Sequence, residues 1–169
     1  MMDVVQQPGV QVAPSLLRRL ACLLYEGVLL FGVVMAAGLV YAAATRQTHA
    51  LIGMRGLQAF LFVVLGVYFV GFWSRTGQTL AMQTWRIRVV TRDGQPLSPA
   101  RAAARYLLCW LWFLPALASL YFSGPRGSAV AVVAVTTGVL VYAALSRLHP
   151  SRQYWHDVIC GTRLISAPG

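Results

Sequence analysis

Lysine is absent from the 169 residues, and only four residues are acidic, against fourteen arginines and a formal charge of +10. The missing lysine is attributed to genomic base composition and carries no functional weight. Charged residues make up 11% of the chain and hydrophobic ones 58%, whereas a soluble domain carries roughly a quarter charged. A soluble globular class is therefore excluded in favour of a small polytopic membrane protein, because the apolar excess comes in long blocks. Cysteine is scarce too. Cys22, Cys109 and Cys160 form no CxxC pair and no ligand cluster, which speaks against a disulfide framework and a metal site. "GQT" at 77–79 lacks the lysine and glycine spacing of a phosphate-cradling loop. A lone His-Asp pair without a nucleophile or metal triad gives no enzyme, and no cofactor is expected.

Four apolar blocks are present. The first, 20–44, follows "RR" and is too long for the hydrophobic region of a signal peptide, about 7–15 residues, so it is read as a retained helix. The second is "LQAFLFVVLGVYFVGFW" at 57–73, the third 106–122 with Pro115 as an expected kink, and the fourth 129–145. Residues 1–14 are expected to form a disordered tail and 15–166 a single transmembrane domain. Between the second and third blocks "WRIRVV" alternates, with Trp85, Ile87 and Val89 on one face and Arg86 and Arg88 on the other. That is strand periodicity. An Asp-Gly turn follows, and Ser98-Pro99 has the form of an N-cap with proline at the first helical position. "YWHDVICGTRLIS" predicts a short helix and then a strand near 162–165, the natural partner for the strand near 85–90. The expected fold is an all-α membrane protein of four spans with a small β-hairpin-like element.

With the N-terminus inside, eleven arginines fall on the cytoplasmic side and only Arg46, Arg55 and Arg126 outside, a strong positive-inside bias. Both termini are therefore placed in the cytoplasm of a bacterial inner-membrane protein. Arginines flank the apolar blocks rather than forming a separate patch, so Arg86, Arg88, Arg92, Arg101 and Arg105 are assigned to anionic lipid headgroups and not to nucleic acid. Trp73, Tyr106 and Tyr121 are expected as interfacial anchors. Gly32 and Ala36 offer a weak signal for close helix approach.

Glu26 interrupts the first span. A carboxylate there costs on the order of 2.5–3.5 kcal/mol on insertion scales, so it needs a proton, a cation or a protein partner. Arg19 lies seven residues earlier on nearly the same helix face, too far for a direct i,i+4 pair, which calls for a third group between them. The blocks "RRLACLLYE", "GQTLAMQTWRIRVVTRDGQPLSPARAAARYLL" and "YWHDVICGTRLI" together resemble the RDD family of bacterial membrane proteins. The resemblance maps the family's arginine and two aspartates onto Arg19, Glu26 and Asp157, with glutamate in place of the first aspartate. It implies a transport role for undefined ligands. Arg19, Glu26 and Asp157 form the candidate ion- or substrate-binding site, with His156 and Arg105 as secondary candidates. His156-Asp157 by itself reads as a solvated surface pair, unless Asp157 folds back on Arg19 or Arg105. The leading expectation is a small transporter or ion/proton exchanger acting as a homo-oligomer; the alternative is a scaffold or accessory subunit that binds a partner through its basic cytoplasmic face.

Overall fold

A backbone in hydrocarbon has no water to bond, so apolar runs of membrane length close their hydrogen bonds within helices. The computed structural model describes residues 13–46, 54–110, 113, 128–146 and 153–167. In chain order the elements are α1 (Leu16–Thr45), α2 (Met54–Arg75), α3 (Leu80–Thr84), β1 (Ile87–Thr91), α4 (Pro99–Cys109), α5 (Ser128–Leu145), α6 (Trp155–Ile159) and β2 (Thr162–Ser166). The Ser15 side chain accepts the Arg18 N–H at 3.3 Å and opens α1. Thirty residues make α1 about 45 Å long, and α2 has 22. Both are long and apolar enough to cross a bilayer. Leu17, Leu24, Val28, Phe31 and Leu39 point outward from α1, the arrangement lipid favours.

Four crossings were expected, and two helices meet the length and apolarity required. The third expected span, with Pro115 and Tyr121, lies largely outside the described residues; α4 is its approach. In α5 the apolar stretch Val132–Leu145 is shorter than a crossing. Of the expected tail, Ala13 and Pro14 are described, and Pro14 is buried. Gly32 has no neighbour within 4 Å of a Cβ position among the described residues, so its expected role in close packing finds no support there.

Between α2 and α4 the chain builds a small unit around the sheet. β1 and β2 pair antiparallel, from Ile87 opposite Ser166 to Thr91 opposite Thr162. Ile87 and Val89 are buried and Arg88 is exposed, as the alternation requires. The first strand nevertheless starts two residues later than the alternation suggests. Trp85 closes α3, and Arg86 takes a left-handed backbone (φ 51°) to turn from helix to strand. Arg18 secures that turn, donating Nε to the Trp85 carbonyl at 2.6 Å and Nη2 to the Arg86 carbonyl at 2.9 Å. A two-stranded sheet leaves two raw edges. Here both are closed locally: Gln153 bonds the Leu164 N–H and carbonyl at 2.9 and 3.0 Å, while Gly77 accepts Val89 N–H at 2.8 Å and Gln78 donates to Ile87 O at 2.8 Å. The Ser98-Pro99 start of α4 forms as predicted.

Gly77 ends α2. Its N–H bonds the Phe72 carbonyl at φ 71°, and a Cβ there would sit 2.8 Å from the Val89 carbonyl oxygen. Left-handed backbone alone costs a non-glycine residue about 1–2 kcal/mol. Gly77→Ala is expected to lower the thermal midpoint in detergent by roughly 2–8 °C, with the backbone clash adding to the loss; an unchanged midpoint contradicts this.

The core joins this unit to the helices. Trp73 and Tyr106, expected as interfacial anchors, are instead buried in it together with Met82, Ile87, Val89, Leu97 and Leu164. Trp73 lies beneath the Arg105 guanidinium and Tyr106 donates to the Phe62 carbonyl at 2.8 Å. An indole near a membrane surface serves either lipid or a protein cation, and the buried charge of Arg105 takes it.

Candidate functional site

The three residues mapped from the sequence separate into two clusters. Glu26 is 7% exposed on α1. Its Oε1 accepts the Tyr68 hydroxyl from α2 at 2.8 Å, and its Oε2 accepts the Thr79 hydroxyl. Thr79 also caps α3, where its hydroxyl oxygen accepts the Met82 N–H. The carboxylate on α1 is thus tied to two other segments through two neutral hydroxyls. The third group sought between Arg19 and Glu26 is therefore not a bridge to arginine: the bonds to Glu26 come from Tyr68 and Thr79, neither of which the sequence reading identified. Tyr68 is the hydroxyl within the second apolar run, and Thr79 belongs to the "GQT" rejected as a phosphate loop. A hydroxyl facing inward at the depth of a buried acid was the available signal.

The second cluster gathers on α6. Asp157 is fully buried, and Arg105, 4% exposed, donates Nε to its Oδ1 at 2.8 Å. The Thr162 hydroxyl reaches the same oxygen at 3.0 Å. Arg105 stacks 4.2 Å over the Trp73 ring centroid, a cation–π contact that helps offset desolvation of the charge. Assigned by sequence to lipid headgroups, Arg105 instead serves as the counterion of Asp157, since an acid this deeply buried requires one. Asp157 Oδ2 makes no hydrogen bond among the described residues. Arg19 lies alongside: its Nε donates to the Pro14 carbonyl at 2.9 Å, its guanidinium sits 5.0 Å over the Tyr154 ring, and its charge acts on Asp157. The fold-back of Asp157 thus goes to Arg105 in direct contact and to Arg19 at longer range.

His156 is not the solvated surface residue of the sequence expectation. It is 2% exposed and stacked with Tyr142 and Tyr154. The Tyr142 oxygen accepts the His156 backbone N–H at 3.1 Å and lies 3.0 Å from Nδ1. A neutral ring protonated at Nε2, which faces Asp157 Oδ1 at 3.7 Å, leaves Nδ1 to accept the Tyr142 hydroxyl. Burial pushes the His156 pKa down to about 4, against the pull of Asp157 and with Arg105 adding to it. Burial by itself raises the Asp157 carboxyl; Arg105, His156 and the bonds from Arg105 and Thr162 together outweigh it and hold the group below its ordinary value. The lower cluster is a neutral histidine beside a closed ion pair.

Among the described residues no three His, Cys, Asp or Glu side chains gather as a metal site. A groove of about 600 Å³ between α1 and α5 is lined by Leu20, Leu24, Val28, Phe31 and Val139 and is apolar. It holds none of the charged groups.

Two helices long and apolar enough to cross a bilayer are the features of a membrane protein. The sequence profile of the RDD family matches residues 13–161, and the chain belongs to that family. No curated protein and no solved structure matches it.

Proposed function

We propose that this protein is a small membrane transporter that exchanges a proton or a cation at Glu26. The observation supporting this reading is the chemistry of the grip. Glu26 is the one acidic residue in the two membrane-length helices, and neutral Tyr68 and Thr79 hydroxyls hold it where a guanidinium would have neutralised it. A carboxylate so placed keeps its charge open to a proton or a cation, and intramembrane acids commonly mark ion pathways. Arg19, Arg105 and Asp157 then serve as the frame that keeps α6 against the bundle. The proposed setting is the bacterial inner membrane, four crossings and both termini inside, on the arginine asymmetry. Self-association of so few helices would surround the Glu26 face with protein.

Purified protein in liposomes is expected to carry a pH- or cation-driven flux that Glu26→Gln reduces to the level of protein-free vesicles, the variant still folding because glutamine retains one acceptor and the side-chain shape. Equal flux in wild type and variant overturns the reading. One observation favours a scaffold instead: the Arg105–Asp157 pair is closed and buried, while Arg86, Arg88, Arg92 and Arg101 remain exposed. In that case Glu26→Gln lowers the melting temperature, ion gradients stay untouched, and crosslinking in native membranes recovers one stoichiometric partner.

A further inference from the structure

The amphipathicity of α6 is inside out. His156 and Asp157 turn inward, while Trp155 (44% exposed) and Ile159 (62%), four residues apart on one helix face, turn outward. The helix is fastened to its neighbours by Arg105–Asp157 from α4 and by Tyr142–His156 from α5, so it stays at the end of the bundle. Two exposed arginines flank the C-terminal end of that face. Arg92 donates Nη2 to the Val158 carbonyl at 2.6 Å and its own N–H to Gly161 O at 3.1 Å. Arg101 is close enough for its charge to act on Cys160. Nothing acidic balances them beyond Asp93: among the described residues the other acids, Glu26 and Asp157, are buried.

We infer that this face, Trp155 and Ile159 bordered by Arg92 and Arg101, is a contact surface for the headgroup layer of anionic phospholipid. Its apolar part is two side chains wide, enough to dip into the interface and narrow for a stable protein partner. Tryptophan is favoured at headgroup depth, and arginines beside it supply attraction for phosphate. Tethering to α4 and α5 holds the face in a fixed orientation on those helices. The assignment is independent of whether Glu26 carries ions.

The test is bromolipid quenching of full-length protein in mixed phosphatidylglycerol–phosphatidylcholine vesicles, with bromine on one lipid at a time. Subtracting the signal of Trp155→Phe isolates Trp155 from the other tryptophans. Trp155 is expected to be quenched more strongly when phosphatidylglycerol carries the bromine. In wild type, added salt should remove that preference without any substitution, because exposed charges are screened. Arg92→Gln with Arg101→Gln should lower the preference about twenty-fivefold, on about fivefold per arginine near the surface. Equal quenching by both lipids overturns the assignment, as does a Trp155 signal that neither lipid quenches. A photo-crosslinker at Ile159 that captures one protein in native membranes, and no lipid, identifies a protein-docking face instead and overturns it too.

Discussion

Asp157→Asn is expected to lower stability by about 3–5 kcal/mol, the usual cost of leaving one partner of a buried ion pair uncompensated. Arg105 is 4% exposed and Asp157 0%, so water cannot replace the lost charge. Asparagine matches the shape and can still accept from Thr162, which confines the loss to the charge. In detergent the thermal midpoint should fall by roughly 10 °C, read with a thiol-reactive dye that reports exposure of the buried Cys22. Arg105→Met combined with Asp157→Asn should melt closer to wild type than Asp157→Asn alone, since a long apolar side chain on Trp73 leaves no stranded cation. A single variant that melts with wild type would show that the pair contributes no stability.

Acid should destabilise the protein through His156 before it reaches Asp157. An unfolded histidine titrates near 6.5 and the buried one near 4. Between those values the unfolded chain binds a proton that the native state refuses, so stability is complete above about pH 6.5 and is lost as pH falls toward about 4. The loss is at most about 3 kcal/mol. Asp157, held below its ordinary value, contributes stability that is present above about pH 3.9 and disappears only as pH falls through its lower native value. His156→Gln loses the ring contact with the Tyr142 hydroxyl and should melt lower at neutral pH, with a flatter midpoint against pH between about pH 6.5 and 4.5. Parallel curves for wild type and variant would remove histidine from the account.

Much of this arrangement follows from local pattern. Ser98-Pro99 opens a helix because the cap hydroxyl and the preset proline backbone act within one turn. The strands form where Ile87 and Val89 alternate with arginine and where Thr162–Ser166 supplies a partner. Trp85 fits the alternation yet closes a helix, because alternation does not record the α3 cap at Thr79 or the left-handed backbone at Arg86. The individual site residues were visible as unusual groups: an acid in an apolar run, an aspartate after histidine, arginines at block ends. Which of them meet was not. Tyr68 and Thr79 stand 42 and 53 residues from Glu26, and Arg105 stands 52 residues from Asp157.

The sequence by itself determined membrane-length helices, a small antiparallel sheet and membership in the family, because solvent preference and backbone capping are read from neighbouring residues. Only the tertiary structure decided that neutral hydroxyls hold Glu26, that Asp157 rather than lipid takes Arg105, and that His156 lies inside. Those outcomes depend on which side chains share a desolvated volume. Buried polar groups must find partners wherever the packed helices bring them, and distance along the chain sets no limit on that search.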